Sequence, residues 1–190
     1  MAFRAELDES CTTANCTVQV NINGTTHAAV SITLAESESG RTVISTTIPA
    51  GEVASFTVTS PHLWSPERPD LYTLTVRLEG EAPDSVQEVV GFRRLEIRGQ
   101  DFYLNNWRLV LRGVCRHEFT SRHGYCPTPE EVHRELAMIK HAGFNYVRLV
   151  HSPQAPIVPR LAAEIGLLVT EESGTCWHDL DNDVIAAPAL

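Results

Sequence analysis

The feature that most constrains this chain of 190 residues is a change in its hydrophobic pattern near residue 94. Before that point, apolar residues alternate with polar ones over short stretches, which is the period of half-buried β-strands. The stretches are 17–22, 30–34, 56–58 and 72–78, and turn-forming clusters lie at 23–24, 39–40 and 49–51. Short strands with turns at this spacing predict an antiparallel, immunoglobulin-like β-sandwich over residues 1–92.

The second half alternates between strand and helix instead. Residues 102–104 and 109–111, joined through Asn105-Asn106, predict a hairpin that feeds a buried strand. Hydrophobic runs at 109–115, 144–150 and 167–170 indicate three strands, and the segments between them have helical spacing. The first helix begins with a capping box, in which Thr128 caps, Pro129 takes the first helical position and Glu131 lies three residues after the cap. Gly143 ends that helix, and a second helix is predicted from about residue 156 to 165. This β-α-β-α-β order predicts a parallel sheet, either doubly wound or part of a (β/α)₈ barrel.

Polar side chains cluster where each of these strands ends. They are His117 and Glu118 after the first strand, Arg148 and His151 at the second, and Glu171 and Glu172 at the third. Because the carboxyl ends of parallel strands share one rim, which carries the active site in β/α folds, these side chains are predicted to converge. Structural alternatives stay open, since any one of them also suits a loop contact or an ion pair. Two histidines with a carboxylate could also bind a divalent metal.

Composition narrows the classes of partner. The net charge is -9 and lysines and arginines form no cluster, which argues against nucleic acid. No apolar run approaches the roughly 20 residues that span a bilayer, and no signal peptide is visible, so a cytoplasmic location is expected. The five cysteines favour free thiols in a reducing compartment, with a Cys11–Cys16 disulfide as the oxidising alternative.

Six segments, in order along the chain, resemble the glycoside hydrolases of family 2, which include β-galactosidases, β-glucuronidases and β-mannosidases. The segments are Leu-Trp-Ser-Pro-Glu-Arg-Pro-Asp-Leu-Tyr-Thr-Leu at 63–74, Gly-Phe-Arg at 91–93, Tyr-Leu-Asn-Asn at 103–106, Gly-Val-Cys-Arg-His-Glu at 113–118, Asn-Tyr-Val-Arg-Leu-Val-His-Ser-Pro at 145–153 and Gly-Leu-Leu-Val-Thr-Glu-Glu at 166–172. The resemblance implies a sandwich domain at 1–92, followed at 93–190 by the first three β/α units of a truncated TIM barrel.

The same resemblance implies functional residues. It implies that His117, Arg148, His151 and Glu172 surround the sugar at the cleavage point. The resemblance implies no required cofactor. In part of the family the carboxylate that matches Glu172 also helps to hold magnesium, so magnesium is an optional ligand expected only in a longer parent protein. Cys115 stands where the family usually has asparagine. The implied partner is a β-glycoside, and the parent could be a homo-oligomer.

A complete barrel takes about 250 residues, and the family's acid/base and nucleophile glutamates are expected on strands downstream of this sequence. The expectation is therefore a fragment of a retaining, β-galactosidase-like glycosidase that hydrolyses terminal β-linked sugars and is inactive alone. The alternative is a non-catalytic β-sandwich, acting as a sugar-binding or spacer module, with a degenerate tail. A metal-dependent barrel hydrolase is a third interpretation.

Overall fold

A computed structural model describes residues 1–23, 28–80 and 83–173. The chain forms two compact units, Met1–Val110 and Leu111–Leu190. The first unit extends beyond residue 92 because Asn105 and Asn106, in a hairpin that follows, donate side-chain hydrogen bonds to carbonyls earlier in the same unit. The domain boundary predicted at 92/93 remains a prediction. Gly24 of the predicted turn at 23–24, and Cys176, lie outside the described residues. Cys11, Cys16, Cys115 and Cys126 are free thiols.

The first unit contains the predicted sandwich. Its strands are β1 (Ala2–Leu7), β2 (Thr13–Gln19), β3 (Ala29–Glu36), β4 (Thr42–Pro49), β5 (Val53–Thr59), β6 (Tyr72–Leu78) and β7 (Asp84–Val90). They form two antiparallel sheets, ordered β1-β2-β5 and β4-β3-β6-β7. The predicted strand at 17–22 is misplaced, since β2 begins at Thr13 and ends at Gln19. Ala14 and Cys16 are its buried residues together with Val18, and small inward residues give a weaker signal than branched ones.

Trp64 lies at the centre of the contacts that close the sandwich. Its side chain is fully buried, its backbone N–H donates to the Phe92 carbonyl at 2.8 Å, and its own carbonyl accepts from Asn105 Nδ2 at 3.0 Å. The Arg93 guanidinium lies 5.1 Å from the centroid of its ring. Tyr72 meets Phe92 edge to face at 4.9 Å. The segments at 63–74, 91–93 and 103–106 therefore hold the first unit together.

A small antiparallel sheet completes the first unit, made of β8 (Leu95–Arg98), β9 (Asp101–Leu104) and β10 (Trp107–Leu109). Asn105 and Asn106 both have positive φ, which suits the two-residue hairpin turn predicted there. The prediction that the first parallel strand begins at Leu109 is wrong, because Leu109 pairs with Phe102 inside this hairpin.

The second unit alternates strand and helix, with elements β11 (Gly113–His117), α1 (Pro129–His141), β12 (Tyr146–Val150), α2 (Ile157–Ile165) and β13 (Leu168–Glu171). The three strands are parallel and ordered β11-β12-β13. The capping box of Thr128 and Glu131 is present, and Gly143 has φ of 89° just beyond α1. Within the described residues, neither helix is long and apolar enough to cross a membrane.

Among the described residues of this unit, up to residue 173, helices cover one face of the parallel sheet and leave the other exposed. Val147, Leu149 and Val169 pack with the apolar residues of α1 and α2. Successive side chains of a strand point to opposite faces, so Arg148 points away from the helices, and its side chain is 54% exposed. The sheet therefore presents an open face, and the predicted site residues can be located on it.

Candidate functional site

The register of the three strands places their carboxyl ends side by side. Cys115 pairs with Arg148, which pairs with Thr170, while His117 pairs with Val150. Cys115, Arg148 and Thr170 form one row across the open face. His117 lies two residues beyond Cys115, which is about 7 Å farther along the strand direction. The polar rim predicted from the strand ends is thus present.

Arg148 and Glu172 form an ion pair on this rim. Arg148 Nη2 lies 2.6 Å from Glu172 Oε1, and the carboxylate is more buried than the guanidinium. The Glu172 backbone N–H donates to the Leu149 carbonyl at 3.3 Å, which ties the residue after β13 to β12. Below this pair, the hydroxyls of Tyr146 and Thr170 lie 2.5 Å apart. Charge-assisted contacts of this kind fix the direction in which a guanidinium presents its remaining N–H donors.

His117 and His151 form the second pair. Their ring centroids are 4.9 Å apart and the rings meet edge to face at 68°. His117 ends β11, and His151 follows β12 through a cis peptide bond after Val150. The four side chains predicted from the sequence therefore lie on the same rim as two contacting pairs, with the two histidines one step beyond Arg148 in the strand direction.

A pocket of about 550 Å³ opens beside the histidine pair. Its lining residues are His117, Glu118, Phe119, Tyr125, Val150, His151 and Ser152. Arg148 and Glu172 are not among them. The pocket combines imidazole, carboxylate and hydroxyl groups with two aromatic rings, and this mixture suits a ligand that has both polar edges and apolar faces.

The loop that carries His151 is held by two carboxylates from neighbouring strand ends. Glu171 Oε1 accepts the backbone N–H of Gln154 at 2.7 Å, and Glu118 Oε1 accepts that of Ala155 at 2.8 Å. Both carboxylates were candidates for convergence on the site, with a structural alternative left open. Their observed contacts are with the backbone of this loop, where they satisfy N–H donors that precede α2.

Arg116 and Gln154 support the same loop from the helix side of the sheet. The Arg116 side chain is 5% exposed, donates from Nη2 to Glu135 Oε2 on α1 at 2.8 Å, and also donates to Gln154 Oε1. Gln154 Nε2 returns a hydrogen bond to the Arg116 carbonyl at 2.9 Å. Sequence reasoning missed both residues. Because side chains alternate along β11, Arg116 lies on the opposite face of the sheet from His117. That alternation was the available signal for a buried arginine on the helix side.

The loop between β11 and α1 is closed by its own hydrogen bonds. Thr120 and Gly124 exchange two backbone hydrogen bonds of 2.8 and 2.9 Å. His123 Nδ1 lies 2.8 Å from Glu131 Oε2, which also accepts the Thr128 N–H of the capping box. The hydrogen bond with His123, followed by that of Thr128, lowers the pKa of Glu131. His123 thereby fastens this loop to α1.

The magnesium that the resemblance implied can be tested against the residues themselves. Across residues 1–23, 28–80 and 83–173, no three His, Cys, Asp or Glu side chains come together in a way that could hold a metal ion. The carboxylate of Glu172 already faces the Arg148 cation. A magnesium role for Glu172 therefore stays a prediction.

Comparison with known proteins identifies relatives of both units. The family model "Glycosyl hydrolases family 2" matches residues 1–93, and the model "Glycosyl hydrolases family 2, TIM barrel domain" matches residues 95–187. The chain is 38% identical to a beta-galactosidase of Aeromonas hydrophila over 65% of its own length and 12% of that protein.

Solved structures match almost the whole chain. The beta-glucuronidase of Parabacteroides merdae aligns over 96% of this chain with a TM-score of 0.87 and 29% identity. Beta-glucuronidase 3 of Bacteroides uniformis aligns over 96% with a TM-score of 0.85 and 32% identity. In each case the chain spans 24% of the solved protein.

Proposed function

The chain belongs to glycosyl hydrolases family 2, and on that premise we propose that it supplies part of the sugar-binding pocket of a retaining β-glycosidase. The residues proposed to contact the sugar are His117 and His151, which line the pocket, and Arg148 and Glu172, which lie on the same rim outside its lining. The substrate is a terminal β-linked sugar, with a β-galactoside as the first candidate and a β-glucuronide as the second. In this proposal residues 1–92 are the sandwich domain and residues 93–190 the first part of the catalytic barrel.

The observation that supports the proposal most strongly is the arrangement of the four residues on one open rim. Two pairs, joined at 2.6 Å between Arg148 Nη2 and Glu172 Oε1 and at 4.9 Å between the imidazole centroids, come from three different strands. Guanidinium and imidazole N–H groups donate to hydroxyl oxygens, and the carboxylate accepts from hydroxyl hydrogens. A sugar ring carries both kinds of group around its edge, so this set can fix its orientation.

The reacting carboxyl pair is proposed to lie outside this chain. Retaining hydrolysis needs two carboxyl groups about 5–5.5 Å apart, one to protonate the leaving oxygen and one to attack the anomeric carbon. Here Glu118 and Glu171 hold the loop after β12, and Glu172 holds Arg148. Each of these carboxylates already has a structural partner, so the chain binds and orients sugar without cleaving it.

The binding test is an NMR titration of the chain with methyl β-D-galactopyranoside and with methyl β-D-glucopyranosiduronic acid. An open pocket with four polar contacts is expected to give a dissociation constant of about 1–10 mM. Saturable shifts are expected at His117, His151 and Arg148 for one of the two sugars. Shifts at residues of the sandwich alone would favour the alternative of a sugar-binding sandwich module, and no shift with either sugar would refute the pocket.

Two arginine substitutions, one on the rim and one on α2, provide a test of sugar binding and its matched control. Arg148→Ala is expected to weaken sugar binding at least five-fold, since it removes the donors of the open face. Arg160→Ala removes an exposed arginine that pairs with Glu164 on α2 and is expected to leave binding unchanged. Incubation of the chain with nitrophenyl β-glycosides is expected to release no nitrophenol, and release would contradict the placement of the reacting pair elsewhere.

A further inference from the structure

Two aromatic side chains of the β11–α1 loop project into solvent at the pocket. Tyr125 is 80% exposed and Phe119 is 56% exposed. Their ring centroids are 5.3 Å apart and the rings meet edge to face at 70°. Large aromatic side chains left in water in this way, next to a pocket, are typical of binding surfaces and not of a folding core. The packing residues of the second unit do not include them.

The loop holds these rings in a defined place. The paired hydrogen bonds between Thr120 and Gly124 close the turn that separates Phe119 from Tyr125, and His123 anchors the turn to Glu131 at the start of α1. Because Glu131 also belongs to the capping box, the anchor is part of the helix terminus. A surface that is already positioned in this way binds with less loss of conformational entropy than a free loop.

The two rings share one pocket with polar groups. His117 and His151 line it together with Glu118 and Ser152. Glu118 uses one carboxylate oxygen for the Ala155 N–H, which leaves its other oxygen able to accept from a ligand. A purely apolar ligand would leave these groups without partners, at a cost in desolvation. A ring with apolar C–H faces and hydroxyls around its edge satisfies both parts.

We propose that Phe119 and Tyr125 form a second sugar subsite, which takes the C–H face of the sugar ring that follows the terminal one in a β-linked oligosaccharide. The negative face of an aromatic ring attracts the weakly positive hydrogens of that C–H face. The histidine pair contacts the terminal sugar in the proposed function, and the aromatic pair lies in the same pocket, so the second ring is the leaving group. This inference rests on the proposed function and adds a preference for oligosaccharides over simple glycosides.

The test compares two ligands with the same terminal sugar. One is the methyl β-glycoside that binds in the titration above, and the other is the methyl glycoside of its β-1,4-linked disaccharide with glucose as the second ring. The disaccharide is expected to bind roughly 3- to 10-fold more tightly, on the scale of one aromatic contact. In Tyr125→Ala and in Phe119→Ala this ratio is expected to fall toward one, while binding of the methyl glycoside stays unchanged.

Trp107→Ala is the matched control, since Trp107 is 81% exposed and lies in the first unit. It is expected to keep the full preference for the disaccharide. Equal binding of the two ligands by the unsubstituted chain, or a preference that survives Tyr125→Ala, would overturn the second subsite and leave the proposed function standing. A gain with the nitrophenyl glycoside alone would assign the rings to an aryl leaving group instead. Failure of both ligands to bind would reject the proposed function and the subsite together.

Discussion

Gly113 begins β11 opposite Tyr146, and the two strands approach each other closely there. A Cβ added at Gly113 would lie 2.5 Å from the Tyr146 carbonyl oxygen and would also overlap the Tyr146 ring. The ring could turn only by giving up the hydrogen bond of its hydroxyl to Thr170. The carbonyl belongs to the backbone, so relief requires β11 and β12 to move apart at the base of the open face.

Gly113→Ala is therefore expected to destabilise the second unit by roughly 1–3.5 kcal/mol. Overpacking of a tight site costs about 1–3 kcal/mol, and a disturbed hydrogen bond adds about 1 kcal/mol. The reduced entropy of the unfolded chain offsets about 0.4–1 kcal/mol of this. Gly91→Ala is the matched control, because its Cβ would meet side chains and no backbone atom: the Leu71 Cδ2 methyl at 3.2 Å, the Trp64 Cβ at 3.4 Å and the Trp64 Cδ1 at 3.7 Å are its nearest neighbours.

Peptide-resolved hydrogen exchange in increasing urea measures the two units separately. In Gly113→Ala the amides of β12 are expected to lose protection from exchange at a lower urea concentration. The sandwich amides are expected to lose protection at the same urea concentration as in the unsubstituted chain. Gly91→Ala is expected to change either unit by no more than about 1 kcal/mol, within the usual range for a tolerated substitution. If Gly113→Ala proves as stable as Gly91→Ala, the close approach of the two strands is wrong.

Two further outcomes follow from the hydrogen bonds. Arg116→Ala is expected to destabilise the second unit by about 2–4 kcal/mol in the same urea experiment, because it leaves the buried Gln154 and part-exposed Glu135 without their cation; a loss below about 0.5 kcal/mol, the scale of an ordinary surface change, would contradict this. In the sandwich, hydrogen bonds from Arg41 and Ser39 lower the pKa of Glu36 from 4.5 to about 2. Its contribution to stability is thus complete above pH 4.5 and lost as the pH falls from there toward 2. Glu36→Gln is expected to flatten this part of a pH–stability curve, whereas substitution of the exposed neighbouring glutamate at position 38 is not; identical curves for both variants would refute the assignment.

Local patterns predicted much of the second unit. The capping box of α1 and the glycine after it are present, because each depends on residues close together in sequence. The parallel strands are present as the β-α-β order of the elements predicted. The convergence of Arg148 and Glu172 was also predictable, since parallel strands place their carboxyl ends on one rim. What their presence on that rim does for a sugar remains a proposal.

Some strand limits and side-chain contacts were not predictable in the same way. The hairpin of 102–104 with 109–111 was predicted, but the parallel strand after it begins at Gly113 and not at Leu109. Arg116 and Gln154 are 38 residues apart, and neither belongs to a motif that indicates the other. Tyr125 and Phe119 meet because a turn closes between them, and that turn depends on backbone hydrogen bonds with no side-chain signature.

The central claim is that strands β11, β12 and the end of β13 present their side chains to one sugar ring. Intermolecular NOEs measure this most directly, with the isotope-labelled chain and the unlabelled methyl glycoside that binds. The account predicts that protons of a single sugar ring show NOEs both to the imidazoles of His117 and His151 and to the side chain of Arg148. NOEs to the imidazoles without Arg148, to Arg148 without the imidazoles, or to the sandwich alone would contradict the account.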